Sequence, residues 1–585
     1  MQEKWIIMNK KGDFDQMVEA LHIDPLTARI LANRGVTDVE SARFYLNAGL
    51  ADLPDPALLK DAEKAVALLQ EALAGGQKIA VASDYDVDGI FAGQILKESL
   101  EQLGFQVLVL APHRVQEGYG LNRRIVEDAL AFGAALLITC DNGIASREEV
   151  AYAKEKGLRV IVTDHHEVPE QEGIFTLPSA DAVIDPKRPD CGYPYQGICG
   201  AVVALKLMQL LWRRLGRPEE SLLDAMAAYA AIATVADMME LREENRILVR
   251  EGLKRLPRTP NPGLAALLEA LQLKGKPLSA YHIGFVIGPC FNASGRLESA
   301  DLAQNLLNEK DPARARELAE YLQDLNKQRQ QMTEEGAKGA EALADSFLPS
   351  ARVLVLHLPW LHESIAGIVA GRIKEKYNRP SLVITGEGEH CKGSARSIPA
   401  YPLYDKMKEC SHLLTRFGGH AMAAGFSLAE AAIPLLRQAL NENSGLTDED
   451  LCPIIKLDAA MPPAYATRER IRQWEQLAPF GNGFERPLFG RSGLMVSRIT
   501  VLGQRRNALR LRFSDESGQS FEGIWFGDVS LWETYLKQQL GEKIFTMLER
   551  SQTKVKMALA YQPMVHEYNG LQSIQFQIHH FQLVT

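Results

Sequence analysis

The chain has no run of about eighteen apolar residues, so no stretch of it has the length and hydropathy of a membrane-spanning helix. It has no Cys-x-x-Cys, and its seven cysteines are an odd, scattered count. Cys140, Cys199 and Cys410 therefore read as reduced core thiols, and a cytoplasmic location is expected. The opening residues, Met1-Gln2-Glu3-Lys4-Trp5, lack the basic-then-apolar order of a secretory signal. Positive charge is not in excess either. The net charge of −9 at pH 7 argues against wholesale coating of duplex DNA, since nucleic-acid binders carry a basic footprint. Two effects soften that argument: a carboxylate-rich metal site adds formal negative charge that bound cations cancel, and local basic faces matter more than the total. No internal repeat and no low-complexity tract occurs.

What is present is an ordinary soluble composition over 585 residues, enough for about four domains at roughly 150 residues each. Residues 1–55 read as a small helical cap. An α/β region over 56–300 follows, with buried strands expected at Lys78–Ala82, Ala134–Thr139, Leu158–Thr163 and Asp181–Ile184. Helical segments between them imply a parallel sheet. Residues 301–345, rich in Glu, Gln, Lys and Arg with Ala/Leu spacing, form a long solvated connector helix. A second α/β unit covers 346–450, and 451–585 is β-rich. There Leu509–Phe513 and Ser573–Ile578 alternate strictly, and Asn569-Gly570 is a hairpin signal.

The acids fall in a telling place. Three of the expected strands end in metal-competent residues: Asp84-Tyr85-Asp86-Val87-Asp88-Gly89, Asp141-Asn142-Gly143 and Asp164-His165-His166. In open parallel sheets the carboxyl ends of the strands form the ligand crevice, so these residues should converge. Five aspartates and two imidazoles in one crevice would repel and desolvate one another unless cations filled it. Oxygen and imidazole ligands without cysteine suit Mn²⁺ or Mg²⁺ better than Zn²⁺. Two such ions about 3.5–4 Å apart can activate a water and steady the leaving oxygen of a phosphodiester.

Simpler readings exist for each cluster alone. An Asp after a strand commonly caps the next helix. Asp-x-Asp-x-Asp-Gly resembles a calcium loop, but the Glu required at loop position 12 is absent, that position being Ile95. Three clusters on three strand ends make a chance arrangement a poor explanation. Asp237, where the alanine-rich helix over Asp224–Ala236 gives way to polar sequence, is a further candidate acid, the alternative being a simple exposed one.

These segments, with Ala233-Thr234-Val235-Ala236-Asp237, resemble the four ordered motifs of DHH-superfamily phosphoesterases. Pro112-His113-Arg114, Glu117-Gly118-Tyr119-Gly120-Leu121, Cys199-Gly200-Ala201, Glu244-Asn245-Arg246 and Asn292-Ala293-Ser294-Gly295-Arg296-Leu297 look specifically like the RecJ branch. Gly393-Ser394-Ala395-Arg396-Ser397 and Gly418-Gly419-His420 resemble its accessory DHHA1 domain. The similarity covers nearly the whole chain. It implies two α/β domains, DHH and DHHA1-like, joined by a long helix, plus a C-terminal OB-like β-barrel. It further implies a single-stranded-DNA-specific 5′→3′ exonuclease that uses two Mn²⁺ or Mg²⁺ ions, releases mononucleotides and serves DNA repair and recombination. By motif position, Asp86, Asp88, Asp141, His165 and Asp237 are the implied metal ligands, with Asp141 the bridge and Asp84 a further ligand or an orienter. Asp141, Asp164 and His166 are the implied catalytic set, His166 facing the scissile phosphate. The chain departs from the family pattern at Phe91, where a small or hydroxyl residue is common, and at Cys290, where Arg is common. It also departs at Asp185-Pro186, commonly Asn-Pro, and in the irregular Gly481–Pro487 turn.

Substrate contacts are expected from Arg114, Arg296 and Arg396, which lie in glycine-punctuated motifs and suit bidentate phosphate binding. Ser394 and Gly393 allow close approach to a phosphate. His420 reads as a phosphate donor or ligand, or as a core histidine. In the barrel, Arg510 and Arg512 share one face, while Trp525, Phe526 and Tyr568 could stack bases or fill the core; adjacent Trp525 and Phe526 point to opposite faces, so at most one is core. Single-stranded DNA is the expected partner, with a single-strand-binding protein and a helicase as associates and no membrane. Two other functions compete. A DHH phosphodiesterase acting on short oligonucleotides or small phosphates leaves the C-terminal barrel pattern without a use. A non-catalytic scaffold has no need of clustered acids.

Overall fold

A computed structural model of the chain describes residues 3–584 other than 115, 172, 349 and 569, and omits the side chains of 171 and 568. The chain divides into two compact units, Gly49–Pro453 and, discontinuously, Glu3–Ala48 with Ile454–Thr585.

The first unit opens on a five-stranded, all-parallel sheet. Its strands are β1 (Lys78–Ser83), β2 (Val107–Leu110), β3 (Ala134–Cys140), β4 (Arg159–Thr163) and β5 (Ala182–Ile184), in the order β2-β1-β3-β4-β5. Four strands lie where the hydrophobic runs place them. The edge strand β2 does not stand out in sequence, because Val107-Leu108-Val109-Leu110 is short and follows a helix end at Gly104. Helix α1 (Val87–Glu101) starts directly after Asp86, which caps it. Phe91 lies on α1 fully buried, its ring centroid 5.4 Å from Tyr229 and 5.0 Å from Phe291, so the bulky residue is core filling. Helices α2 (Gly200–Arg214), α3 (Glu219–Ala236) and α4 (Gly288–Leu297) complete this core.

The connector is two helices. Asp301–Asn308 ends before Asp311, whose side chain accepts from the Ala313 and Arg314 amides, and Pro312 occupies the first position of α5 (Pro312–Phe347). Proline at that position starts a helix and cannot continue one, which accounts for the break within the expected single helix. Beyond α5 a mixed sheet orders β9-β10-β8-β7-β6, built of β6 (Leu354–His357), β7 (Ser381–Thr385), β8 (Cys391–Arg396), β9 (Arg416–His420) and β10 (Ala423–Leu428). Helix α6 (Glu363–Tyr377) packs on it.

The second unit is a closed β-barrel. Strands β11 (Phe489–Leu502), β12 (Ala508–Ser514) and β13 (Ser520–Phe526) form an antiparallel meander. β13 then pairs parallel with β15 (Leu571–Leu583), which pairs with β14 (Val555–Tyr568), and β14 closes on β11. This is the five-stranded OB topology. Leu509, Leu511 and Phe513 point into the barrel and Arg510 and Arg512 outward, as the alternation requires. The hairpin residue Asn569 and the Tyr568 side chain lie outside the described residues. Residues 3–48 belong to this unit and are not helical throughout: Lys4–Ile7 is a strand paired in parallel with Ile454–Leu457. Arg34 forms a buried pair with Asp458 (Nη2–Oδ2, 3.0 Å) and donates to the Glu485 carbonyl.

Candidate active site

The carboxyl ends of β1, β3 and β4 deliver Asp84, Asp141 and Asp164-His165-His166 into one crevice. The backbone of Asp141 is left-handed, at φ +61°, which turns its carboxylate from the strand direction toward the neighbouring strand ends. Such a conformation costs a non-glycine residue energy and is typical of functional sites. Gly200 makes room for it, since a Cβ at that position would lie 2.6 Å from Asp141 Cβ. The Gly200 and Ala201 amides, at the start of α2, donate to Asp88 at 2.6 and 2.8 Å. Asp88 is thus held in place by a helix N-terminus, where a carboxylate is favoured.

His165 Nε2 lies 3.0 Å from Asp141, 3.6 Å from Asp88 and 3.7 Å from Asp237. Three overlapping nests result: Asp84, Asp86 and Asp141; Asp88, His165 and Asp237; and Asp141, His165 and His166, which shares one residue with each of the others. Burial, and then the neighbouring carboxylates, push Asp84 and Asp141 well above the ordinary carboxylate range; the same causes raise Asp86, and bring Asp237 to about 8. Burial lowers His165, favouring the neutral ring that ligates metals. Asp84 Oδ1, His165 Nδ1 and Asp237 Oδ2 are buried without a hydrogen-bond partner among the described residues. Orphaned buried donors and acceptors among mutually repelling acids fit hard divalent cations with oxygen and imidazole ligands. Cys140 and Cys199 lie nearby, but burial and adjacent acids hold both thiols well above their usual range, so neither offers a thiolate.

Two of the expected residues have other occupations. Asp164 is fully buried and accepts from the Ile144, His165 and His166 amides and from His166 Nδ1 at 2.7 Å. It orients His166 and does not itself face the crevice mouth. Burial works against a charged His166, yet the Asp164 bond and the surrounding acids outweigh it and push the ring up to about 9. Asp86, besides joining a nest, caps α1 through the Asp88 and Gly89 amides. Tyr119, which the motif comparison names without a role, donates to the Asp141 carbonyl and sits 3.0 Å from His166 Nδ1. The roles of Tyr119, Gly200 and Ala201 escape residue-pattern reading, because each works through a backbone group.

Arg114, Arg296, Ser394 and Arg396 meet in a second cleft of about 400 Å³, together with Lys392, Ser364 and Glu363. Glu363 is engaged by Lys392 at 2.8 Å. The arginines lower one another: burial and then Arg114 lower Arg396, and burial, Arg114 and Arg329 bring Arg296 down to about 9. Arg296 donates to the Ser364 carbonyl at 2.7 Å. Gly393 lets the Phe426 ring lie beneath the cleft, since a Cβ there would come within 2.1 Å of it. Arg114 stacks over Tyr85, 4.7 Å from the ring centroid, so this cleft adjoins the Asp84–Asp88 loop. Cys290 is buried, its thiol directed at the Val286 carbonyl, and contributes no cation.

Two expected substrate contacts are not where they were placed. His420 is exposed on the edge strand β9, paired across from Ala423, and does not line the cleft. Trp525 is 6% exposed and packs against Trp532 and Phe581 in the barrel core, so it is no stacking platform; its neighbour Phe526, 62% exposed, is the outward residue. Arg510 and Arg512 are exposed, and a smaller cleft of about 360 Å³ beside them is lined by Arg498, Arg512 and Lys554.

Comparison with known proteins agrees with this arrangement. Residues 78–234 match the DHH family N-terminal domain, 350–444 the DHHA1 domain and 457–580 the RecJ OB domain. The chain is 32% identical over 578 residues to a single-stranded-DNA-specific exonuclease RecJ of Haemophilus influenzae, covering 95% of each protein. It is 36% identical over 525 residues to the Bacillus subtilis RecJ, covering 88% of this chain and spanning 65% of that relative's length. A crystal structure of RecJ with Mn²⁺ from Thermus thermophilus superposes with a TM-score of 0.82 at 29% identity, covering 100% of this chain and 80% of that one. The Mg²⁺ complex from the same organism gives 0.76 at 27% identity, covering 100% and 79%. No helix among the described residues is long and apolar enough to cross a membrane. With three domains matched in order and 32% identity across 95% of a relative, the chain belongs to the RecJ family of DHH phosphoesterases.

Proposed function

We propose that this protein hydrolyses single-stranded DNA from its 5′ end, releasing mononucleotides, with two Mn²⁺ or Mg²⁺ ions at the carboxylate crevice. The observation that carries the reading is the pairing of two oppositely charged clefts in one unit, bridged by the Tyr85–Arg114 stack. Asp84, Asp86, Asp88, Asp141, His165 and Asp237 would hold the ions, with Asp141 serving as the shared ligand. When bound, the ions activate the attacking water and neutralise charge on the leaving oxygen. His166, charged and with Nδ1 committed to Asp164, presents Nε2 to a non-bridging oxygen of the scissile phosphate.

Arg114, Arg296, Arg396 and Ser394 grip the 5′-terminal phosphate, and this grip fixes direction. Water adds to the next phosphorus and the bond to the 3′-oxygen of the terminal nucleotide breaks. That nucleotide leaves with its own 5′-phosphate and a 3′-hydroxyl. The shortened strand carries a new 5′-phosphate, which the same arginines can hold for the next cycle. Segment 56–300 supplies the chemistry, 346–450 much of the phosphate grip, and the barrel within 451–585 adds contacts through Arg510 and Arg512. The setting is DNA repair in the cytoplasm, where a helicase supplies the unpaired strand and a single-strand-binding protein covers it.

Digestion of 5′-labelled and 3′-labelled single strands with Mn²⁺ tests this. Labelled mononucleotide should appear first from the 5′-labelled strand. First release from the 3′ label would refute the direction, and cleavage confined to a dinucleotide would favour a small-substrate phosphodiesterase.

A further inference from the structure

Tyr281 and Phe285 are two large aromatic side chains with little role in the fold. They are 63% and 69% exposed, and their rings stack on each other with centroids 5.0 Å apart and planes 25° from parallel. Both project from one continuous helical run: Ala280–His282, a wide π-turn over Ile283–Ile287, then α4. π-turns recur at functional sites because the extra residue re-aims side chains. Here Ile283 and Ile287 are fully buried and anchor one side of the turn, which leaves Phe285 on the other.

The location narrows what this surface serves. A Cβ on Gly284 would sit 3.5 Å from Val235 Cγ1, and Gly288 is as close to Ala236. The turn therefore lies against the last residues of α3, directly before Asp237 of the carboxylate crevice. Met238, the residue after Asp237, is 69% exposed. At its other end the same run carries Arg296 into the arginine cleft. Phe285 precedes Arg296 by eleven residues (296 − 285), a distance of roughly 16 Å at the helical rise. One continuous helical run thus joins the arginine cleft to the aromatic pair, which sits beside the end of α3 that leads into Asp237.

We propose that Tyr281 and Phe285 form a base-stacking platform for the single strand a few nucleotides beyond the scissile bond. The proposal rests on the reading that the 5′-phosphate occupies the arginine cleft. Unpaired bases offer two free π-faces and stack on exposed aromatics whatever their sequence, whereas a duplex hides those faces. The platform would favour an unpaired strand at the point where it approaches the crevice.

The test uses the full-length protein in chelator, so that nothing is cut, and 5′-phosphorylated strands of about twelve nucleotides, within the span of a single-strand groove. 2-Aminopurine is placed at successive positions. The wild type should quench fluorescence at one or two adjacent positions a few nucleotides from the 5′ end. The double variant Tyr281→Ala/Phe285→Ala should abolish that quenching and weaken strand binding about tenfold, a step the loss of one stacked base can supply. Dinucleotide cleavage should be unchanged, and Phe285→Trp should retain the quenching. Three results would overturn the proposal: quenching that persists in the double variant; unchanged strand affinity, which would give the pair to a protein partner; or equal loss on the dinucleotide, which would make it support for the Asp237 end of α3. Failure of the end-phosphate reading would appear separately, as equal wild-type affinity for 5′-phosphate and 5′-hydroxyl strands, a comparison that leaves both aromatics untouched.

Discussion

The two clefts of the α/β unit are mirror images in charge. In one, acids from strand and helix ends crowd together, and burial followed by repulsion lifts the protonation of Asp84, Asp141 and Asp237 far above the ordinary range. In the other, burial and then the neighbouring guanidiniums pull Arg296 and Arg396 down. Neither is balanced by its own side chains, and a fold that tolerates uncompensated like charge implies a partner that relieves it. The frameworks differ. The acids are fixed by backbone: Asp88 by the Gly200 and Ala201 amides, Asp164 by three amides, Asp141 by its own left-handed turn. The arginines are held by fewer bonds: among the described residues, Arg396 donates to the Ala395 carbonyl beside it and to no other group. Rigid acids suit resident ions, and loosely held arginines suit a phosphate that arrives and leaves every cycle.

The contrast can be broken from either side. Asp141→Ala should have the largest effect. Several kcal/mol of transition-state stabilisation depend on this residue, so single-strand cleavage at saturating Mn²⁺ should fall by at least about 10²-fold with the fold and strand binding retained. Retention of a tenth of the rate would dismiss Asp141 as the shared ligand. Gly200→Ala comes next. Its methyl would press on Asp141 Cβ at 2.6 Å, and a displacement of about 1 Å at a reacting centre can cost about 10²-fold. Steady-state kinetics should show the loss in kcat, and an unaltered kcat would mean that the α2 start moves freely. Arg396→Ala should slow digestion of 5′-phosphorylated strands by about tenfold to a hundredfold, the worth of a charge-assisted bond, and 5′-hydroxyl strands far less. Equal losses at matched salt would place Arg396 on an internal phosphate. The smallest effect belongs to the barrel. Arg510→Ala/Arg512→Ala should weaken binding of long strands a few-fold and flatten its salt dependence, leaving dinucleotide cleavage intact. Point variants are needed there, because truncation at Pro453 would strip residues 3–48 of the barrel they pack on, including the buried Asp458 partner of Arg34.

The same contrast explains how much could be read in advance. The strand-end acids were legible because each follows a buried apolar run, and a parallel sheet brings such ends together whatever their separation in sequence. The arginines were legible through their glycine-punctuated surroundings. The three amides that hold Asp164 were not legible, because no pattern of residue types records a backbone donor. The break before α5 was available in Asp311-Pro312 but masked by helical composition on both sides. Trp525 and Phe526 could be placed on opposite faces, but not assigned, until Trp532 and Phe581 filled the side facing Trp525. The parallel pairing of Lys4–Ile7 with Ile454–Leu457 joins segments about 450 residues apart, and Lys-Trp-Ile-Ile carries no alternation to announce it.

The most direct test of the account is the number of Mn²⁺ ions bound by the full-length chain, measured by calorimetry on the wild type and on Asp141→Ala. The overlapping nests predict two ions on the wild type and weakened binding of both when the carboxylate between them is removed. A wild type that binds one ion or none, or an Asp141→Ala variant that binds two undiminished, would contradict it.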